Sequence, residues 1–385
     1  MMTKKLGYVA LLSVASVSTA LAADSLPAPG KLTVGGVQVR ALVDTYYQYN
    51  FNRTGLSAKG TTGAGQSGVP QTNYRSYDTS HRAFDINQAT VGLSYAPAPV
   101  GFDVRIGTGN QLEVLNKEAG SSQTTFKHIR TANATWKPNR FHLTVGRYDL
   151  NFGLERIDSV DNWNYGRGIL FTTNTPLFMT GLEMGYDFGS GFNAVFGYGN
   201  GVDRYVDNNK SGSYMLKLGY TTGGTNLNLN YMLSPERFDV GTQFRHYVSL
   251  NGTHKYSDSF HVGAEFSFVR GQNEYIGNQA NGTRRDESTS SYGAALYAAG
   301  SFVRDHWEAI RGEWLQDADG RVTKRAAGTT FFTVTGTHRY KVSQNMSLLG
   351  EVRWDHANRD RFLNQALQEK RDNQVTLSAA ATFNI

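Results

Sequence analysis

The sequence predicts an all-β chain: a transmembrane antiparallel up-and-down β-barrel of about 16 strands, with short periplasmic turns and long extracellular loops. Three observations carry that expectation. Apolar residues recur at every second position over segments of about 10 residues. The connections between those segments alternate short and long, and an export leader opens the chain.

Lys4 and Lys5 precede an apolar run over residues 9–21, and Ala20-Leu21-Ala22 forms a small-x-small cleavage pattern. The run is shorter than the roughly 20 residues a helical span needs, so residues 1–22 read as a signal peptide rather than an anchor. Residues 23–36 then form a short periplasmic segment and residues 37–385 the barrel. After the leader no run of about 18 apolar residues exists, which excludes helical spans.

The 385 residues include no Cys, which excludes a disulfide framework, a thiolate metal site and a Cys nucleophile. With 38 basic and 32 acidic side chains the net charge is +6, and no basic cluster stands out, so nucleic acid is not an expected partner.

The first strand is the clearest. Val37, Val39, Ala41, Val43, Thr45, Tyr47, Tyr49 and Phe51 share one face, with Gln38, Arg40, Asp44, Gln48 and Asn50 on the other. The second strand turns its apolar face out through Ala89, Val91, Leu93 and Tyr95, and Pro97-Ala98-Pro99 leads into Phe102, Val104 and Ile106. A strand ending at Trp136 turns at Pro138-Asn139 into Phe141, Leu143 and Val145. Leu182, Met184 and Tyr186 turn through Gly189-Ser190-Gly191 into Ala194, Phe196 and Tyr198. Leu216 and Leu218 turn through Thr222-Gly223-Gly224 into Leu227 and Leu229, and Val248 and Leu250 turn at Ser257-Asp258 into Val262 and Phe266. Tyr292 and Leu296 turn near Arg304-Asp305 into Ile310 and Trp314, and Phe332 and Val334 turn near Gln344-Asn345 into Leu348 and Val352. Val375, Leu377, Ala379, Ala381 and Phe383 form the last strand, which ends on Ile385 where a terminal Phe is usual.

Longer loops begin near residues 52, 109, 150, 201, 234, 270, 317 and 357. A strand of about 10 residues tilted about 40° spans roughly 25 Å, the height of an outer-membrane apolar band. In lipid every backbone polar group is paired internally, so alternating strands survive there as a closed barrel. Tyr49, Phe51, Tyr95, Phe102, Phe141, Tyr198, Tyr220 and Phe260 fall at strand ends, where an interfacial girdle takes amphipathic rings.

Around the fifth strand the residues resemble a family. Gly146-Arg147-Tyr148-Asp149, Asn151-Phe152-Gly153, Glu155, Asp161-Asn162-Trp163-Asn164-Tyr165, Arg167 and Leu170-Phe171 are similar to the putative β-barrel porin 2 (OmpL-like) family. Val43-Asp44-Thr45-Tyr46-Tyr47 and Asn200-Gly201 echo it, and Asn151 departs from it where Pro is expected. The resemblance spans the mature chain and implies a pore in the outer membrane of a Gram-negative bacterium, without naming a solute.

About 16 strands enclose more width than side chains fill, so an aqueous lumen is expected. The third long loop, about 150–177, is the candidate for folding inward to narrow it. Its charges Glu155, Arg156, Asp158, Asp161 and Arg167, with Asp149, Arg147 and the inward-facing Arg40 and Arg105, form the candidate pore constriction. Loop carboxylates opposite wall arginines would set up a transverse field there. Among inward-facing strand residues, eight acids (Asp44, Asp103, Glu183, Asp187, Glu265, Glu313, Glu351, Asp355) stand against five bases (Arg40, Arg105, Lys217, Arg311, Arg353), which leaves the sign of selectivity open.

The expected function is passive diffusion of small hydrophilic solutes, with outer-membrane lipid and, during insertion, the barrel-assembly machinery as partners. No enzyme, cofactor or metal is expected, and a homo-oligomer is left open. The alternatives are a surface adhesion or structural barrel, and a barrel hydrolase, for which no local motif among the nine His supplies a triad. Asp305-His306 and Asp355-His356 would point to opposite faces of a strand. Asp203 and Asp207-Asn208-Asn209 lack the spacing of a calcium loop. Gly252-Thr253-His254-Lys255-Tyr256 and Gly336-Thr337-His338-Arg339-Tyr340 read as an internal echo of one hairpin unit.

Overall fold

The computed structural model describes residues 32–54, 72–117, 124–207, 209–235, 241–272, 288–325, 327–366 and 368–385. The expected signal peptide and most of the 23–36 segment lie outside them, as does most of the first long loop.

Among the described residues sixteen strands form the barrel. They are β1 (Val37–Asn50), β2 (Ala83–Tyr95), β3 (Val100–Thr108), β4 (Ile129–Trp136), β5 (Phe141–Asp149), β6 (Phe178–Gly189), β7 (Phe192–Gly199) and β8 (Ser213–Thr222). Then follow β9 (Thr225–Pro235), β10 (Phe244–Ser257), β11 (Phe260–Gly271), β12 (Thr289–Gly300), β13 (His306–Asp317), β14 (Thr329–Lys341), β15 (Met346–Ala357) and β16 (Asn373–Asn384). Each strand pairs antiparallel with the next, and β16 closes on β1 from Thr376↔Asn50 to Asn384↔Leu42. Closure leaves no edge, as lipid requires. Leu32–Val34 folds back on the start of β1 through the positive-φ pair Gly35-Gly36.

The polarity is inverted relative to a soluble protein. Val43, Val91, Leu93, Ile106, Val145, Leu250, Leu296 and Val352 are exposed, while Asp44, Gln48, Gln88, Arg130, Arg311 and Arg353 are buried. The apolar face therefore looks out at acyl chains, and the polar face looks into the barrel. At the rim of tight turns, rings pair across hairpins: Tyr95 with Phe102, Trp136 with Phe141, Phe192 with Tyr220 and Tyr256 with Phe260.

One strand departs from the simple alternation. In β2 the outward side chains shift from Phe84 and Ile86 to Ala89, Val91 and Leu93. The register jumps there from Thr45↔Ile86 to Asp44↔Gln88, so Asn87 is the extra residue of a β-bulge. The bulge turns Asn87 inward, where its amide donates to the Asp44 carboxylate at 2.7 Å.

Two α-helices of the described residues lie in the long loops: α1 (Asn110–Lys117) after β3, and α2 (Ile169–Asn174) between β5 and β6.

Candidate functional site: the luminal loop and the barrel wall

Residues 150–177 leave the top of β5 and return to β6. Their ends are tied where Leu150 N–H donates to the Leu177 carbonyl at 2.9 Å. The Asp203 carboxylate accepts from Leu177 and Phe178 N–H at 2.8 and 2.9 Å. Asp203, weighed in the sequence as a weak calcium ligand, thus clamps the loop exit.

Between its ends the segment contacts most of the inner wall. Asp44 on β1 accepts from Ser159 Oγ (2.6 Å) and Tyr165 Oη (2.9 Å). Arg105 on β3 donates to Asp158 at 3.1 Å. Asn230 on β9 and Asn251 on β10 donate to the Phe152 carbonyl at 2.6 and 3.1 Å. Arg339 on β14 donates to the Asn162 carbonyl at 2.8 Å. Three wall glutamates accept loop N–H groups: Glu265 on β11 from Leu154, Glu313 on β13 from Leu170, and Glu351 on β15 from Tyr165 and Gly166. These wall groups all belong to the face opposite the lipid-exposed one, so the segment sits inside the ring of strands.

The loop sequence suits that close approach. A Cβ on Gly166 would come within 2.6 Å of the Glu351 carboxylate, and one on Gly168 within 2.2 Å of Glu313. Glycine there lets backbone N–H groups reach the wall acids. Trp163, the centre of the Asp-Asn-Trp-Asn-Tyr block, packs edge-on against Tyr297 and His261 in an apolar cluster with Leu170, Trp307 and Leu315. The loop thereby packs against the β11–β15 side of the interior, leaving a small pocket beside Trp163 and Tyr297.

The residues predicted from sequence divide into five groups. Arg105, Asp149 and Asp158 do come together: Arg105 lies 3.5 Å from Asp149 and 3.1 Å from Asp158, and Arg130 is bidentate to Asp149. Glu155 reaches a different wall, accepting from Arg311, whose Nε lies 2.9 Å from Glu313. Arg156 and Arg167 brace the loop itself, donating to the Gly153 carbonyl and to the Arg156, Tyr165 and Ile157 carbonyls respectively. Arg147 is buried against Asn116 and the Ile129 carbonyl, under the rings of Phe178 and Tyr205. Arg40 and Asp161 are exposed to the open part of the interior.

The loop carboxylates therefore meet wall arginines in direct contact, which differs from charges facing each other across water. A contact pair cancels most of its own field and serves first as an anchor. Asp355 and His356 face opposite ways, as expected: Asp355 is buried beside Arg353, and His356 stacks outside on Trp354. In the repeated five-residue units, Tyr256 and Tyr340 join the rim aromatics, while Arg339 turns inward to the loop. Among the described residues no His/Asp/Glu group has the arrangement of a metal site.

A closed, lipid-facing barrel with a polar interior and a long loop folded against its inner wall defines a porin-type protein of the outer membrane. The chain matches the family described as "Putative beta-barrel porin-2, OmpL-like" over residues 36–385 and belongs to it. No curated protein gives a significant sequence match. Solved structures share the fold. An anion-selective porin from Comamonas acidovorans superposes with a TM-score of 0.60 at 11% identity, covering 91% of this chain and 99% of the other. The outer-membrane-expressed OmpT of Vibrio cholerae gives 0.58 at 12% identity over 92% and 100%. The outer membrane channel DcaP of Acinetobacter baumannii gives 0.53 at 13% identity over 92% and 100%.

Proposed function

We propose that the chain is a diffusion porin, passing small hydrophilic solutes through a lumen that residues 150–177 narrow. The observation that carries this reading is the reach of the loop from Arg105 on β3 to Glu313 on β13 and Glu351 on β15. A segment anchored on opposite walls has to cross the space between them. Its exposed Asp161, the exposed Arg40 and the partly exposed Arg105 line what stays open. Asp149 and Asp158 complete that lining, whereas Glu155, Arg147, Arg156 and Arg167 act as supports.

Planar-bilayer recording of the purified chain tests the proposal. Discrete conductance steps are expected, and their size should rise when Glu351→Ala frees the loop backbone at Tyr165 and Gly166. A barrel that is folded in the bilayer and never conducts would overturn it, and would leave the surface adhesion or structural role as the better account. One matching structure is a trimer form of OmpT from Vibrio cholerae. By that fold-level analogy we propose a homo-oligomer, checked by the mass of the detergent-extracted protein.

A further inference from the structure

Resting on the pore reading, we infer that the solute lane runs off-axis along the β3–β8 wall. It passes a charge-balanced station made by His142, Glu183 and Lys217, which favours zwitterionic and neutral polar solutes over ions of either sign. The station touches the narrowing segment only at its root, where Lys217 Nζ donates to the Leu150 carbonyl at 2.8 Å. His142 on β5, Glu183 on β6 and Lys217 on β8 all point inward. Glu183 stands 3.6 Å from His142 Nε2 and 3.6 Å from Lys217 Nζ. These separations exceed hydrogen-bond length, and the three side chains keep 14–21% of their surface exposed. The exposed part of each charged group is therefore open to the lumen, where the polar ends of a solute can replace water at its surface.

The wall is shaped to hold such groups flat. A Cβ on Gly185 would lie 2.0 Å from the His142 ring, and one on Gly92 would lie 2.4 Å from the Arg105 side chain. Each of these inward glycines is a seat over which a neighbouring strand's polar side chain lies along the wall instead of projecting across the lumen. On the opposite side Trp163, Tyr297 and Trp307 pack against the loop and leave a small pocket beside Trp163 and Tyr297.

Charge balance sets the solute class. Glu183 is matched by Lys217, and above it Asp103, Asp149 and Asp158 surround Arg105 and Arg130. With four carboxylates against three cations, an ion of either sign meets both attraction and repulsion along this wall, so selectivity by sign is weak. A molecule carrying both charges engages both partners at once, and a polyol uses the same groups as hydrogen-bond donors and acceptors.

The chain lacks Cys, so a single introduced thiol reports the route directly. Lys217→Cys is expected to react with a water-soluble thiosulfonate and to lose conductance on labelling, while Thr335→Cys, beside Arg311 on the opposite side, stays unlabelled. In a KCl gradient the wild type should reverse near zero. Glu183→Gln should shift it toward anions and Lys217→Gln toward cations, and both should lower glycine flux into liposomes several-fold. Conducting channels in which the thiol of Lys217→Cys is inert, or in which both neutralisations leave reversal potential and glycine flux unchanged, overturn the lane. A folded wild type that never conducts removes the pore reading itself, which is a different result.

Discussion

The two sides of the interior solve the problem of luminal charge in opposite ways. On the β3–β8 wall Arg130 keeps only 2% of its side chain exposed, but Asp103, Arg105, Asp149, Asp158, His142, Glu183 and Lys217 around it keep 12–26%. On the β13–β16 side Arg311, Glu313, Glu155, Arg353, Asp355, Arg75 and Asp78 keep 0–4%. The first set is solvated, so its charges remain available to solutes and are screened by salt. The second is dry, so each charge is tolerable only with its partner present, and its role is to hold the loop. One barrel thus separates transport chemistry from anchoring chemistry by water access.

Breaking the dry side should have the largest effect. Arg311→Met leaves Glu155 and Glu313 as buried carboxylates without their guanidinium, a loss of about 3–5 kcal/mol for a broken buried pair. Arg105→Met on the wet wall should cost below about 1 kcal/mol, since solvent screens it and Arg130 still faces Asp149 and Asp158. Urea unfolding in detergent compares them, and equal losses would collapse the distinction. Trp163→Ala, removing a buried ring from the same side, is expected to cost about 3 kcal/mol and to expose residues 150–177 to protease. Glu351→Ala leaves the Tyr165 and Gly166 N–H groups without their acceptor, for about 1–3 kcal/mol, and should raise conductance more than it lowers barrel stability.

The strands were legible in the sequence because lipid imposes a strict period of two, with no buried second sheet to blur it. Even the bulge left a trace: Phe84 and Ile86 are apolar at even positions and Ala89, Val91 and Leu93 at odd ones, so one residue between them must be extra. The loop was legible as a charged, aromatic segment, but its partners were not. Glu155 meets Arg311 across 156 positions, and Glu351 meets Tyr165 across 186. Those contacts depend on how far the chain has travelled round the ring, which no local pattern encodes. Glu265, Glu313 and Glu351 were readable as inward acids, yet their work as acceptors for loop backbone follows only from the glycines placed against them. Arg339 sits on the inward face of β14, at the opposite parity to the outward Phe332 and Val334, so that signal was present and lay hidden inside the repeated five-residue unit.

The smallest effect is also the one that separates the two walls most cleanly. Raising ionic strength from about 0.1 M to about 1 M shortens the screening length from about 10 Å to about 3 Å, and ions enter only where water does. The reversal-potential shift caused by Glu183→Gln should therefore shrink toward the wild-type value as salt is raised, because Glu183 acts through solvated space. The stability deficit of Arg311→Met should hardly change over the same range, since Arg311 and Glu313 have no exposed side-chain surface for counterions to reach. A deficit that disappears in concentrated salt would mean that the β13 side is wetted, that its ion pairs are transport groups like those of β3–β8, and that the loop is held by its apolar contacts around Trp163 alone.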